Sequence, residues 1–174
     1  YVIRDEGKMR LEENLWQISQ VISWFRSRGK AVIFNAHNYF DALSSSSAYT
    51  REVIKTASSA GADRIVLCDS SGYALFHDIG AGIDVARMHH TRRIGIQCAD
   101  SSGCANSNAV VAVKSGVMHI QGSFLGTGPN GNISLAVSIA NLQINMGYSC
   151  IPYMKLNRLT HAAEYIADQM DVSV

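Results

Sequence analysis

The sequence predicts a parallel α/β fold, and three observations carry that prediction. Short apolar runs begin at residues 31, 64, 93 and 117. Between them lie stretches with helical periodicity, and Gly61 and Gly116 fall where two of those helices should stop. Strands that alternate with helices at this spacing read as βαβ units, whose strands pair in parallel.

Each element has a local reason. From Leu11 to Arg28 the residues Leu11, Leu15, Ile18, Val21, Ile22 and Phe25 recur every three or four positions, one face of an amphipathic helix that Gly29 ends. Ala31 to Ala36 (AVIFNA) is short, largely apolar and partly β-branched, which predicts a strand covered on both faces. Ala48 to Ala60 is the next helix, and Ser44 to Ser47 a loop entering it. RIVLCD (Arg64 to Asp69) and RIGIQC (Arg93 to Cys98) are strands, with a helix from Phe76 to Met88 between them and another from Ala105 to Ser115 after them. VMHIQG (Val117 to Gly122) is the fourth strand. Helices over Ile133 to Met146 and Tyr153 to Met170 close the chain, with Pro152 suited to the start of the last. The first ten residues, including Arg4, Asp5 and Glu6, read as a strand end and a solvated loop. Residues 1–148 are expected to form the α/β domain and 149–174 a linker and helix. Such units build either a doubly wound sheet or part of a (β/α)8 barrel. A whole barrel takes about 250 residues, so four units are half of one.

Composition excludes several function classes. A net charge of +1 with scattered basic residues gives no case for nucleic acid or an anionic membrane surface. No apolar run approaches the ~18 residues of a membrane span. Cys68, Cys98, Cys104 and Cys150 show neither a CxxC pair nor zinc-finger spacing. They are expected to be reduced and structural, which favours a cytoplasmic protein.

In either architecture ligands bind beyond the carboxyl ends of the strands. That rule nominates four groups: Asn35, His37, Asn38 and Asp41; Asp69, Ser70 and Ser71; Gln97, Asp100, Ser101 and Ser102; and Ser123 with the loop Gly126 to Asn132. Of these, His37, Asp69 and Ser123 are the candidate substrate contacts. Asp69 and Asp100 serve equally well as caps of turns or helices. Gly128 and Gly131, in a loop before a helix, are candidates for anion binding through backbone N–H groups, although the loop lacks the P-loop lysine and GxGxxG order. The remaining histidines, His77, His89, His90, His119 and His161, have no mutual spacing that builds a site and are expected at the surface or in packing.

Several blocks carry a resemblance over nearly the whole chain. NAHNYFD (Asn35 to Asp41) resembles a strand end usually written DAEHFFD. AGADRIVLCDSSG resembles AGADTLVLCDTNG, and NLQINMGY (Asn141 to Tyr148) resembles NLQLKLGY. LEENL (Leu11 to Leu15) and the closing segment after Cys150 also follow in order. These blocks resemble the citramalate and 2-isopropylmalate synthases, and the resemblance implies strands five to eight of a TIM barrel, half of the catalytic barrel, with C-terminal helices.

Members of that family condense acetyl-CoA with a 2-oxo acid on a divalent metal, by Lewis-acid and acid–base catalysis. Their metal is held by an acidic residue on the first strand, two histidines of an HxH-N-D motif and the asparagine of a GERxGN loop. Carried over by position, the histidines become Gln97 and Ala99, and the next two residues Asp100 and Ser101. The loop becomes GPNGN, one residue shorter, and only Asn132 matches a ligand. The glutamate of DAEHFFD becomes His37. If the family site survives, Asn132 and Asp100 are its metal ligands here and the ion is Mg, Mn or Zn. Alanine cannot ligate, and a neutral glutamine replaces imidazole poorly.

Three functions follow as expectations. The first is a half-barrel that is inactive alone, with two unpaired edges and an exposed apolar face that drive a homodimer or docking on a complementary half-barrel chain. The second is an acyltransferase acting on acetyl-CoA and a 2-oxo acid whose site another chain completes. The third is a small-anion binder.

Overall fold

A computed structural model describes residues 10–90 and 93–172, so the reading of the opening residues, Arg4 to Glu6 included, lies outside the described part. Its elements are α1 (Leu11–Ser27), β1 (Ile33–Ala36), α2 (Tyr39–Ser45), α3 (Ser47–Ser59), β2 (Arg64–Asp69), α4 (Phe76–Arg87), β3 (Arg93–Cys98), α5 (Ala105–Lys114), β4 (Ile120–Gln121), α6 (Leu135–Ala140) and α7 (Arg158–Met170). A π-helical turn, Asn141–Asn145, extends α6, and a 3-10 turn, Tyr153–Lys155, precedes α7.

The strands form one parallel sheet in the order β1-β2-β3-β4. A doubly wound sheet reverses its strand order at a switch point, and this one does not. Sequential parallel strands, each followed by helix, are the progression of a (β/α) barrel. Phe34, Ile65, Ile94 and the register-matched Ala36, Leu67, Ile96 and Ile120 face the helices. There they meet Ile22 of α1, Tyr39 and Phe40 of α2, Ile54 of α3, Ile79 and Ile83 of α4, and the alanines of α5 in one core.

The opposite face differs from the sequence expectation. Register places Ile33, Arg64 and Arg93 in one layer, and Asn35, Val66 and Gly95 in the next. Cys68, Gln97 and Gln121 follow. Among the described residues helices cover β1 on one side only, and Ile33 and Asn35 are exposed on the other. The face is also not apolar. Val66 and Cys68 are sealed at 0% and 1% exposure, leaving mainly polar groups to meet solvent.

Other differences are local. Tyr39–Ser45, assigned to no element by periodicity and overlapping the expected Ser44–Ser47 loop, is helical because Tyr39 and Phe40 turn into the core and Tyr39 Oη donates to the Gly82 carbonyl at 2.8 Å. β4 keeps only two residues of VMHIQG: at its amino end Val117 N still bonds to the Ala112 carbonyl in the turn after α5, and at its carboxyl end Gly122 and Ser123 leave the ladder to meet the Ile133–Ser134 segment. On α1 the buried stripe is narrower than the periodicity implies: Ile22 is buried and Ile18 packs on the core, while Val21 and Phe25 are exposed. Among the described residues no helix is long and apolar enough to cross a membrane.

Candidate active-site face

The nominated strand-end residues gather at one end of the sheet, but their side chains mostly hold loops. Asp69, 1% exposed at the end of β2, accepts from Gly72 N (2.9 Å), Ser71 Oγ (3.2 Å) and Ala74 N (3.1 Å). Burial pushes its carboxyl upward from the ordinary value, against the pull of those bonds. Its role in the structure is to close the β2–α4 turn.

Asp100, after β3, acts similarly. Its Oδ1 accepts from Ala105 N at 2.8 Å, satisfying the first amide of α5, while its own N–H donates to the Asn130 carbonyl. Gly131 sits so close that a Cβ there would lie 2.8 Å from the Asp100 Cβ. The β3–α5 loop and the loop after β4 are thus locked together.

Between them lies the contact that decides the site. Gln97 Nε2 donates to Asn132 Oδ1 at 3.1 Å, and the same oxygen accepts from Ile133 N at 2.9 Å. These are two of the positions that the resemblance marks as metal ligands, and here they bond to each other. Ala99, at the second histidine position, is 6% exposed and offers no ligand. With the Asn132 oxygen engaged twice and one Asp100 oxygen given to α5, these residues do not fit a catalytic divalent ion. No group of three or more His, Cys, Asp and Glu side chains able to hold a metal occurs among the described residues.

His37 is exposed, its Nδ1 3.4 Å from Ser70 Oγ, which also accepts from Asn38 N at 3.0 Å. Asp41 is exposed on α2. Ser123 Oγ donates to the Thr127 carbonyl at 2.8 Å, folding the loop onto itself. That loop is a poor anion cradle. Gly131 N is spent on the Gly128 carbonyl, and the short α6 behind it is already capped by Ser134, which accepts from Val137 N.

Sequence reasoning passed over Arg64 and His119. Arg64 Nη1 donates to His119 Nδ1 at 2.9 Å on the open face of the sheet. The His119 ring fills the space over Gly95, where a Cβ would lie 2.7 Å from His119 Cδ2 and 2.9 Å from Val66 Cγ2. Burial, then the Arg64 charge, lowers the His119 pKa from 6.5, so the ring is held neutral. Arg64 Nε and His119 Nε2 are buried without a partner among the described residues. The alternation of His119 with Gln121 in VMHIQG was the available signal.

Comparison with known proteins agrees with this architecture. The chain is 32% identical over 164 residues to the (R)-citramalate synthase of Streptomyces coelicolor, covering 94% of this chain and 31% of that protein. It is 33% identical over 168 residues to the Aquifex aeolicus (R)-citramalate synthase, covering 95% and 32%. A 2-isopropylmalate synthase of Sulfolobus acidocaldarius matches at 26% over 171 residues, covering 96% and 42%. The chain therefore spans about a third of the length of the (R)-citramalate synthases it matches. Among solved structures, the HMG-CoA lyase of Bacillus subtilis superposes with a TM-score of 0.82 at 19% identity, over 98% of this chain and 60% of that one. That likeness concerns the fold, a parallel (β/α) arrangement of the TIM-barrel kind. The family model described as HMGL-like matches residues 3–166. The chain belongs to the HMGL-like family.

Proposed function

We propose that this chain is a citramalate-synthase-like half-barrel whose own residues do not carry the family's metal-dependent condensation, and that it works by associating with a complementary half-barrel or a second copy. The observation that supports this most is the Gln97–Asn132 hydrogen bond, which ties together two positions that would have to turn their donors toward an ion. What the residues here do is hold a scaffold: Asp69 and Asp100 fix the loops, and Ser134 starts α6. Among the described residues β1 and β4 are the edge strands of the sheet, and there the remaining strands of a barrel would add.

Calorimetric titration with Mg²⁺ and Mn²⁺ tests the reading. The chain is expected to give no saturable binding up to about 1 mM, whereas Gln97→His combined with Ala99→His introduces two imidazoles and raises affinity for Mn²⁺ or Zn²⁺. Saturable binding by the unaltered chain, or thiol release from acetyl-CoA with pyruvate, would overturn it.

The second reading is an acetyl-CoA:2-oxo acid acyltransferase completed by another chain. It is favoured by the identity to (R)-citramalate synthases over nearly all of this chain and by the retained Asn132. Activity appearing only on mixing with a complementary half would select it.

A further inference from the structure

The open face of the sheet is electrostatically one-sided. Its inward positions, from Ile33 through Gln121, include Arg64, Arg93 and His119 and no carboxylate. At the amino ends of the strands Arg64, Arg87 and Arg93 converge on a cavity of about 730 Å³, with Ile33 and Met118 beside them. The one acid lining that cavity, Asp63, is bonded to Arg26 Nη1 (2.7 Å) and to the N–H of Val32 (2.8 Å). On the same face, Arg64 Nε and His119 Nε2 are buried and have no acceptor among the described residues. Because Arg64 donates to His119 Nδ1, the proton of the neutral ring sits on Nε2, and both orphaned groups are N–H donors.

Closing a barrel over this face would remove it from water. Guanidinium groups so enclosed need carboxylates, and orphaned donors need acceptors. A second copy offers amide acceptors on Asn35, Gln97 and Gln121 but no carboxylate, and it would set Arg64 and Arg93 against their own counterparts. From this charge pattern we infer that the partner closing the sheet is a complementary half-barrel whose inner face carries carboxylate side chains near the amino ends of its strands, and not a second copy of this chain. The inference rests on the association reading above and names the chemistry of the associating surface.

The probe is a charge-reversed copy, Arg64→Glu with Arg93→Glu, which supplies an acidic inner face on a half of the same size. Sedimentation analysis compares the unaltered chain alone with its mixture with the reversed copy, circular dichroism establishing that each variant is folded. The mixed pair is expected to associate at least about tenfold more tightly than the unaltered chain with itself in about 50 mM salt, the gap narrowing in about 0.5 M. A neutral copy, Arg64→Gln with Arg93→Gln, is expected to self-associate more tightly than the unaltered chain. Self-pairing of the unaltered chain as tight as the mixed pair overturns the acidic-partner inference and leaves half-barrel association standing. Failure of every mixture to associate overturns both, and the metal titration bears on neither outcome.

Discussion

Asp69 and Asp100 stand where strand-end carboxylates of this architecture do chemistry, and both are occupied by backbone. Their substitution is therefore expected to read out as stability. Asp69→Asn places an amide donor among the Gly72, Ser71 and Ala74 donors and should lower unfolding free energy by about 1–3 kcal/mol in urea titration. Asp100→Ala removes the acceptor for Ala105 N and should cost about 0.5–2 kcal/mol with metal affinity unchanged. His119 supplies a pH signature. Its folded pKa lies below 6.5, so its contribution to stability is complete above the unfolded value and is lost as pH falls through the folded one. His119→Gln keeps an acceptor for Arg64, and melting temperatures followed from pH 7 to acid should fall less steeply in that variant. The sequence nominated Asp69 and Asp100 because position marks the site end of a strand. It could not assign their bonds, because those come from loop amides whose direction depends on the folded turn.

At the scale of elements, the apolar code placed β2 and β3 to the residue and the first four of its helices within one or two positions, whereas the expected Ile133–Met146 helix is α-helical only over Leu135–Ala140 before a π turn, and the expected Tyr153–Met170 helix begins only at Arg158. It failed where packing overrides periodicity. The segment Tyr39–Ser45 is helical because two aromatic side chains anchor it, and β4 ends at Gln121 because Ser123 leaves the sheet to bond with Ile133 and Leu135. Turn chemistry at the β2–α4 connection is strict. Gly72 has φ +74°, and a Cβ would lie 2.6 Å from Ser101 N and 2.9 Å from the Ala99 carbonyl. Gly72→Ala should destabilise by more than the ~1 kcal/mol of backbone strain alone, since Ser102 N and Oγ both bond to the Gly72 carbonyl and tie the two loops. A lowered urea midpoint with an unchanged slope would identify it as a stability effect.

For the molecule as a whole, the relevant division is between the two faces of the sheet. The helix-facing side is a dry core. The other side is open, polar and positively charged, and it is the surface on which the proposed association would act. The core predicts the pattern of thiol access. Burial pushes the Cys68 thiol up to about 12 and raises that of Cys98 as well, while Cys150 is exposed and Cys104 partly so. A thiol reagent at neutral pH should label Cys150 first, then Cys104, with Cys68 and Cys98 reacting only after denaturant. Early reaction of Cys98 would mean that β3 opens far below the global unfolding free energy.

The fold class was in the sequence by itself, since strand and helix periods and their spacing are local properties that few parallel topologies accommodate. The family was legible too, in blocks such as AGADRIVLCDSSG and NLQINMGY. The resemblance sets Gln97 and Ala99 where the family's two histidines stand, and alanine has no donor in any fold. Only the tertiary structure decided what the residues at those positions touch. Gln97 and Asn132 are 35 positions apart and become partners because β3 and the loop after β4 meet. The same holds for Arg64 and His119, which are 55 positions apart and share a lumen because parallel register sets β2, β3 and β4 side by side. Periodicity records which face a residue takes; it carries no information on which distant residue will share that face.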